Sequence, residues 1–304
     1  MNNGYIDFIS YVNKKGLGLI LANESLKKYT TLKIGGNCFA VYKPNSIKSL
    51  IQAYKYILFN KLNYQLIGNG SNMLISDDYH HTIFINLKGL NKINVNNSDD
   101  CNIISVESGV MGNMLAKKFS DLKYSGLEFL AGIPGTIGGM IYMNAGAWDE
   151  TISDKLVSIT YLDEFGQVCV MKDITSKGFG YRLSPFMKRK VIILACEIKI
   201  TKNDKAPLIY QEYMDIKKNT QPLSKHSAGC AFKNPSGKRA WELIKHSSKL
   251  LSINDAKISD LHYNFLINEE NASFNDMYNL LEIIKNSVYN KFNIMLEEEW
   301  NIIK

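Results

Sequence analysis

Two glycine-rich segments in the first half of this 304-residue chain constrain its fold and its ligand more than any other feature. The first, residues 68–72, reads Gly-Asn-Gly-Ser-Asn and follows a predicted strand over residues 64–67. The second, residues 132–139, reads Gly-Ile-Pro-Gly-Thr-Ile-Gly-Gly and precedes an Asn-Ala-Gly-Ala segment at residues 144–147. Glycine allows a backbone to approach a ligand closely and to adopt positive φ, so that successive amides can face one anion. Each segment alone fits a tight turn, but the two together favour a ligand that contains a diphosphate.

Neither segment has the spacing of a standard nucleotide-binding motif. The P-loop pattern G-x-x-x-x-G-K-[ST] is absent from the sequence, which argues against a P-loop ATPase. The second segment reads G-x-x-G-x-x-G-G, and the dinucleotide pattern G-x-G-x-x-G is absent as well. A Rossmann cofactor domain is therefore not expected.

Composition and charge bound the class of protein. Hydrophobic residues make up 45% and charged residues 21% of the chain, ordinary values for a globular protein of about two domains. The longest apolar run, residues 191–196, is six residues long, whereas a membrane span needs about 20. The N-terminus has no basic segment followed by an apolar one, so we expect a cytoplasmic protein without a secretory signal. The net charge of +7 leaves nucleic-acid binding as an alternative, although the cations are dispersed.

Cysteine and histidine spacing gives no indication of a metal site. The five cysteines are scattered without a C-x-x-C pair, so neither a zinc ribbon nor a redox dithiol is predicted. Four of them fit small core residues, and the fifth follows a glycine. The four core candidates are Cys38, Cys101, Cys169 and Cys196.

Hydrophobic periodicity predicts a mixture of helices and strands on both sides of a boundary near residue 202. A helix is expected to begin after Ser46, and another at Ser273, where Asp276 completes a capping pair. Residues 156–162 and 167–171 flank Asp-Glu-Phe-Gly, which indicates a hairpin. Further helices are predicted over residues 114–122, 208–218 and 240–246, and further strands over residues 82–87, 103–107 and 191–200.

Three polar positions are candidates for chemistry. Arg182 lies among aromatic and apolar residues, as either a carboxylate clamp or a structural ion pair. Cys230 follows Gly229, and its thiol is either a proton donor or a core group. The acidic run at residues 297–299 is either a solvated face or part of a strand with Glu298 on the opposite side from its neighbours.

Taken together, these segments resemble the UDP-N-acetylenolpyruvoylglucosamine reductase family, in order and in spacing, over residues 29–303. The matching pieces cover residues 29–36, 68–72, 126–128, 132–139, 143–147, 181–186, 229–235, 259–265 and 296–299. The resemblance implies an α+β fold: an FAD-binding domain of the vanillyl-alcohol-oxidase (PCMH) type and a smaller α+β C-terminal substrate-binding domain. On this basis we predict an N-terminal segment at residues 1–28, the FAD-binding domain at 29–202 and the substrate-binding domain at 203–304.

The resemblance also implies a reaction and the residues that serve it. NADPH would reduce a non-covalently bound FAD and be replaced by UDP-N-acetylglucosamine enolpyruvate, whose vinyl carbon receives a hydride before its α-carbon is protonated. Arg182 matches the arginine that stabilises the enolate, Cys230 stands where many members have a serine proton donor, and Glu299 matches the assisting glutamate. Lys233 and Asn234 resemble contacts to the substrate diphosphate. The implied FAD-binding residues are Gly68, Asn69, Gly70, Ser71, Asn72, Gly132, Ile133, Pro134, Gly135, Ile137, Gly138, Gly139, Asn144, Ala145 and Gly146.

Some features of the family are not carried over. Only 47 residues separate Arg182 from Cys230, which resembles the form that lacks the inserted tyrosine loop. Asn301 stands where many members have arginine. The alternatives are an oxidase or dehydrogenase on the same fold, which often tethers its flavin to histidine or cysteine, and a homologue that binds FAD without turnover. No nucleic acid, membrane insertion or obligate protein partner is expected.

Overall fold

A computed structural model describes residues 3–98, 101–248 and 251–304, and its contacts divide the chain into two compact units. Unit 1 comprises Met1–Glu24, Cys38–Asn69 and His81–Met214, and unit 2 comprises Ser25–Asn37, Gly70–His80 and Asp215–Lys304. Both contain helices and strands, so the predicted α+β class is confirmed. Each unit draws on several stretches of chain, whereas the predicted functional ranges are continuous, and those ranges stay a prediction.

The described helices and strands follow the chain in this order. The helices are α1 (Asn3–Lys15), α2 (Ile47–Phe59), α3 (Gly112–Asp121), α4 (Ile137–Met143), α5 (Ala206–Thr220), α6 (Ala240–Ser247) and α7 (Phe274–Phe292). The first strands are β1 (Gly18–Ser25), β2 (Asn37–Pro44), β3 (Tyr64–Ile67), β4 (Met73–Ile75), β5 (His80–Asn86), β6 (Ile93–Ser98), β7 (Cys101–Glu107), β8 (Tyr124–Ser125) and β9 (Gly146–Ala147). The remaining strands are β10 (Glu150–Thr151), β11 (Leu156–Leu162), β12 (Val168–Lys172), β13 (Ile192–Lys202), β14 (His226–Cys230), β15 (Ser252–Ile253), β16 (Ala256–Ile258), β17 (Phe265–Asn268) and β18 (Asn301–Ile303).

In unit 1, one sheet has the strand order β1-β2-β5-β3 and shares a core with α1 and α2. Helix α2 begins where predicted, because the Ser46 hydroxyl accepts a hydrogen bond from the amide of Ser49 (3.1 Å). Leu50 and Tyr54 on its predicted apolar face are fully buried. Strands β3 and β5 are parallel, so their carboxyl ends lie at the same edge of the sheet.

The larger sheet of unit 1 has the order β12-β11-β13-β7-β6. Its predicted hairpin is confirmed, with β11 and β12 antiparallel and Leu162 opposite Val168. Asp163 holds the turn, since its Oδ1 accepts from the amides of Phe165 (3.0 Å) and Gln167 (2.8 Å). Gly166 in the same turn has φ of 76°, in the left-handed region that favours glycine.

In unit 2, helix α7 packs on a sheet of order β14-β17-β16-β15. Its predicted capping pair is a capping box, in which the Ser273 hydroxyl accepts from the amide of Asp276 (3.1 Å) and the carboxylate accepts from the amide of Ser273 (2.8 Å). The predicted apolar stripe is completely buried, and it consists of Met277, Leu280, Leu281, Ile284 and Val288. Near the C-terminus, β18 pairs in parallel with β4, with Ile302 opposite Leu74.

The cysteine predictions are partly confirmed. Cys38 and Cys196 are buried, and desolvation raises the pKa of both thiols, that of Cys38 to about 12. Cys169 is half-buried, and the side chain of Cys101 lies outside the described part of the structure. Among the helices of residues 3–98, 101–248 and 251–304, none is both long and apolar enough to cross a membrane.

Candidate active site

The first glycine-rich loop leaves the carboxyl end of β3. The side-chain amide of Asn86, the last residue of β5, donates to the carbonyl of Gly68 (3.2 Å) and accepts from the amide of Lys88 (3.1 Å). A Cβ at Gly68 would overlap the hydroxyl of Thr136 in the second loop. This close approach requires glycine at position 68, so part of the glycine pattern is explained by contact between the two loops themselves.

Asn69 joins the two loops directly. Its Nδ2 donates to the carbonyl of Pro134 (2.5 Å), and its Oδ1 accepts from the Nζ of Lys88 (3.0 Å). The structure therefore brings together two segments that are about 65 residues apart in sequence, as a shared ligand would require. The charge of Lys88 lies next to the loop, where it suits a phosphate group.

The second loop ends in the short helix α4, whose amino terminus is secured by three hydrogen bonds. Thr136 accepts from the amide of Gly139 (3.4 Å), and the amides of Ile137 and Gly138 donate to the carbonyls of Val110 and Ser108 (both 2.8 Å). Gly138 lies so close to Ser108 that a Cβ at position 138 would clash with it. The amides of this helix therefore bind protein groups.

Residues with left-handed backbone conformation lie before and after the segment formed by the second loop and α4. Gly132 has φ of 69° before Ile133, Pro134 and Gly135, and Asn144 has φ of 43° directly after α4. The residue at the carboxyl end of a helix often adopts this conformation, and asparagine tolerates it better than most side chains. Ala145 then donates its amide to the carbonyl of Met140 (2.8 Å), which returns the chain to Gly146 and strand β9.

The residues after Gly68 and Asn69 present backbone donors that fit an FAD pyrophosphate. Gly70 has φ of 61°, and a Cβ there would overlap the carbonyl of Tyr29. Within the described residues, the amides of Gly70, Ser71 and Asn72 have no hydrogen-bond acceptor. Consecutive amides of this kind form an anion-binding concavity. Neutral backbone amides without a protein acceptor are donors that a pyrophosphate can use.

Arg182 occupies a strained turn that is fastened to the second loop. Gly180 and Leu183 exchange backbone hydrogen bonds (3.0 and 3.1 Å), and Arg182 inside this turn has φ of 49°, which is uncommon for a residue other than glycine. Its guanidinium donates to the carbonyl of Gly146 (3.4 Å) and lies 5.2 Å from the ring centroid of Tyr181. Backbone strain of this type is found most often at functional sites.

Two buried side chains hold that turn in place. Asn144, only 2% exposed, donates from its Nδ2 to the carbonyl of Gly180 (2.9 Å). Ser184, also 2% exposed, donates to the carbonyl of Tyr142 (2.6 Å). Arg182 is thus brought together within unit 1 with Asn144 and Gly146, two of the predicted FAD-binding residues.

In unit 2, Cys230 and Glu299 are brought together through one peptide. Cys230 is the last residue of β14 and is half-buried. The amide of Glu299 donates to the carbonyl of the next residue, Ala231 (2.8 Å), and Phe232 pairs with Glu298 in an antiparallel bridge. The side-chain amide of Asn72 donates to the Glu299 carbonyl (3.0 Å), which links a predicted FAD residue to this pair.

Two residues of the acidic run bind different lysines, and strand β18 begins only after the run, at Asn301. Glu298 forms an ion pair with Lys285 of α7 (2.6 Å), and the Glu298 carboxylate is the main reason that the pKa of Lys285 is raised. Glu297 instead pairs with Lys233. Lys233 is thus already bound to a carboxylate, which a substrate diphosphate would have to displace or join.

Asn234 caps a helix in the structure. Its Oδ1 accepts from the amide of Ala240, the first residue of α6 (3.0 Å). The residue lies at the surface, and its role as a substrate contact stays a prediction. No group of three or more histidine, cysteine, aspartate or glutamate side chains in the described ranges is arranged to hold a metal ion.

Sequence reasoning missed several polar residues that organise the site. Asn264 makes three hydrogen bonds to Ala231 and Phe232, and Asn86 and Lys88 support the first loop. His262 is half-buried beside Asn264, where desolvation lowers its pKa, and its Nδ1 accepts from the amide of Asn264 (3.3 Å). His262 and Asn264 both occur in the matching segment at residues 259–265, so the family pattern marked them without indicating a role.

Comparisons with known proteins agree with this architecture. The family model described as "FAD binding domain" matches residues 39–172, and that of the "UDP-N-acetylenolpyruvoylglucosamine reductase, C-terminal domain" matches residues 221–303. The UDP-N-acetylenolpyruvoylglucosamine reductase of Clostridium tetani is 34% identical over 305 residues, covering 99% of this chain and 98% of that protein. The protein of the same name from Bacillus subtilis is 33% identical over 300 residues, covering 97% of each.

Solved structures give the same result. A crystal structure of the reductase from Thermus caldophilus superposes with a TM-score of 0.78 at 29% identity, covering 94% of this chain and 98% of that chain. Alkyldihydroxyacetonephosphate synthase, with a TM-score of 0.50 and 16% identity over 65% of this chain and 40% of its own, shares the fold alone. Matches over nearly the full length, together with both family models, show that the chain belongs to the UDP-N-acetylenolpyruvoylglucosamine reductase family of flavin enzymes and binds FAD through the domain at residues 39–172.

Proposed function

We propose that this protein is a cytoplasmic, NADPH-dependent enzyme that reduces UDP-N-acetylglucosamine enolpyruvate to UDP-N-acetylmuramate for peptidoglycan precursor synthesis. The observation that carries the proposal is the shared peptide in unit 2, where Glu299 donates its amide to the carbonyl of Ala231, the residue after Cys230. The chain segments that carry a proton donor and a carboxylate are thereby hydrogen-bonded to each other. Bound FAD supplies the hydride chemistry, and the chain itself supplies charge stabilisation, orientation and the proton.

Arg182 serves as the fixed cation. Addition of a hydride to the vinyl carbon of an enolpyruvate places negative charge on the carboxylate-conjugated enolate. A guanidinium that is already oriented stabilises this charge without reorganising during the reaction. The strained turn and its hydrogen bonds to Asn144 and Tyr142 support this role, because they fix the arginine before the substrate arrives.

Cys230 donates the proton to the α-carbon, and Glu299 assists the enolate and the protonation step. A free thiol has a pKa of about 8.5 and is therefore mostly protonated at neutral pH, as a general acid must be. Cysteine is more acidic than the serine found in many members of the family, so it can replace that hydroxyl. Lys233 and Asn234 contact the substrate diphosphate in this proposal, and the form without the tyrosine loop leaves the substrate uncovered by that residue.

The proposal is tested by following the flavin absorbance near roughly 450 nm without oxygen in two steps. NADPH should bleach the purified protein, and UDP-N-acetylglucosamine enolpyruvate should restore the colour. Cys230→Ala should bleach normally but recover more slowly by about 1,000-fold, because the proton donor acts only in the second step. Cys230→Ser should retain substantial recovery.

Cys169→Ala is the matched control, because this half-buried cysteine lies on β12 at the edge of the large sheet and should leave both steps unchanged. An equal loss of both steps in Cys230→Ala would contradict the role of the thiol. Bleaching without recovery in the unaltered protein would reject the substrate. Yellow colour that remains on acid-precipitated protein would instead indicate a covalently tethered flavin and favour the oxidase alternative.

A further inference from the structure

Asn264 fastens the segment that follows Cys230. Its side-chain Nδ2 donates to the carbonyl of Phe232 (2.8 Å), and its Oδ1 accepts from the amide of the same residue (3.0 Å). Its backbone carbonyl accepts from the amide of Ala231 (2.8 Å). One side-chain amide therefore satisfies both backbone polar groups of Phe232, as a neighbouring strand would.

Water cannot take over these bonds. Asn264 is 2% exposed, Phe232 is 1% exposed and Ala231 is completely buried, and all three hydrogen bonds lie within this packed region. A buried backbone group must find a partner within the protein. Strand β14 ends at Cys230, which pairs with Phe265. The pairing of β14 with β17 therefore gives no backbone hydrogen-bond partners to Phe232. The Asn264 side chain extends the pairing beyond the end of the ladder.

The opposite edge of the same segment binds the C-terminal acidic run. The amide of Glu299 donates to the carbonyl of Ala231, and the amide of Lys233 donates to the carbonyl of Glu297 (both 2.8 Å). Residues 231–233 thus lie between Asn264 on one side and residues 297–299 on the other. The backbone of residues 231–233 thereby connects the segment that ends at Cys230 with the segment that contains Glu299.

His262 holds the backbone of Asn264 in place. Its Nδ1 accepts from the backbone amide of Asn264 (3.3 Å), and its carbonyl accepts from the amide of Phe265 (2.8 Å). Burial lowers the pKa of His262, so the ring stays neutral and Nδ1 remains an acceptor at neutral pH. Asn264 consequently has a defined backbone position as well as a defined side-chain orientation.

We infer that Asn264 is a positioning residue for the protonation step, which holds the segment after Cys230 so that the thiol and the Glu299 carboxylate keep one fixed separation. The inference rests on the proposed function, since it assigns the roles of Cys230 and Glu299. Asn264 acts on these two residues through its hydrogen bonds to the backbone of Ala231 and Phe232.

The test compares Asn264→Asp with Asn268→Asp in the full-length FAD-bound protein. Asn268 is a matched control, because it is an asparagine four residues along the same segment that is also buried (1% exposed). Its side chain donates to the carbonyl of Leu32 (2.9 Å) and accepts from the amide of Ala272 (2.8 Å). Both substitutions remove one amide donor with little change in volume, and only Asn264 contacts the segment after Cys230.

We expect Asn264→Asp to bleach with NADPH at the normal rate, whereas its limiting rate of reoxidation falls by about 100-fold, the effect of a misplacement of about 1 Å. The concentration of the enolpyruvyl substrate that gives half of the limiting rate should stay unchanged, because positioning affects the chemical step and not binding. Asn268→Asp should reoxidise at the wild-type rate. If Asn264→Asp does not yield folded flavoprotein, Asn264→Ser and Asn268→Ser replace the pair.

The outcomes separate the two ideas. Equal reoxidation rates for the Asn264 and Asn268 variants, in a wild-type protein that completes both steps, would overturn the inference alone. A loss that appears only in substrate affinity would also overturn it. A wild-type protein that bleaches but never recovers with the substrate overturns the proposed function, and the inference with it.

Discussion

Removal of one hydroxyl group, in Ser184→Ala, should loosen the turn that carries Arg182. The Ser184 hydroxyl donates to the carbonyl of Tyr142 at 2.6 Å and accepts from the amide of Phe186 at 3.4 Å. The first bond is short and buried, and its loss leaves a carbonyl without its partner at a cost of about 1–3 kcal/mol. The second bond is long and contributes little. We therefore expect Ser184→Ala to destabilise the protein by about 2 kcal/mol, which lowers the thermal midpoint by about 4 °C.

The same substitution should have a selective kinetic effect. Arg182 lies two residues before Ser184 and has a strained backbone, so a weaker anchor allows the turn to relax. A misplacement of about 1 Å lowers the rate of a chemical step by about 100-fold. The hydrogen bond from Asn144 to the carbonyl of Gly180 remains and limits the movement. We therefore expect reoxidation by the enolpyruvyl substrate to be about 10-fold slower. Reduction by NADPH should be unaffected, because no enolate forms in that step. Anaerobic stopped-flow absorbance measures the two rates separately.

Ser120→Ala provides the matched control. Ser120 lies on α3 and is 1% exposed, and its hydroxyl has no hydrogen-bond partner in the portions of the chain that the structure describes. Removal of an unsatisfied buried hydroxyl should leave stability unchanged or slightly increased, with both half-reactions at wild-type rates. Equal thermal midpoints and equal reoxidation rates for the two variants would refute the argument that the Ser184 hydrogen bond holds the arginine.

Two further predictions concern stability in unit 2. Lys285→Met should lower the free energy of unfolding by about 1 kcal/mol at pH 7, since Lys285 pairs with Glu298 and Glu282. Glu298 is the main reason that the folded pKa of Lys285 is raised, so this contribution is complete below the unfolded pKa of about 10.4 and is lost as the pH rises through the folded value. A difference between wild type and variant that persists unchanged at higher pH in urea unfolding would contradict the prediction. Ser273→Ala should lower the free energy of unfolding by about 1 kcal/mol at pH 7, because it removes the amino-terminal cap of α7. The pKa of Asp276 is lowered chiefly by its hydrogen bonds to Ser273, so this stabilisation is present above the unfolded pKa of about 3.9 and disappears as the pH falls through the folded value. Equal stability of the two proteins at pH 7 would show that the cap is unimportant.

Local features of the fold could be predicted from the sequence because they depend on residues that are close together. The buried stripe of α7, its capping box and the hairpin at Asp163 each need only one short window of chain. Helix α1 was missed, since its buried residues are few and polar side chains surround Phe8 and Val12. The parallel pairing of β18 with β4 joins segments more than 200 residues apart, and no local pattern determines such a partner.

The candidate site was predictable to a different extent. Motif order identified the two glycine-rich loops and the positions of Arg182, Cys230 and Glu299, whose roles remain predictions. For the acidic run the sequence left a solvated face and a strand as alternatives, and in the structure Glu297 binds Lys233 whereas Glu298 binds Lys285. The left-handed backbone of Arg182 was not predictable, because arginine is not a residue that ordinarily occupies that region.

Three of the residues that organise the site share a chemical property. Asn86 and Asn264, which were missed, and Asn144, which was predicted only as an FAD contact, are buried, uncharged amides that each bind backbone groups of another segment at the site. A search for titratable groups passes over them, since an amide has no pKa in the usual range, and a search for apolar periodicity treats them as surface residues. Yet an amide offers a donor and an acceptor together, so it can complete the hydrogen bonds of a buried backbone where the sheet ends. Asparagines within matching motifs therefore indicate where a site is held rigid, just as charged residues indicate where its chemistry takes place.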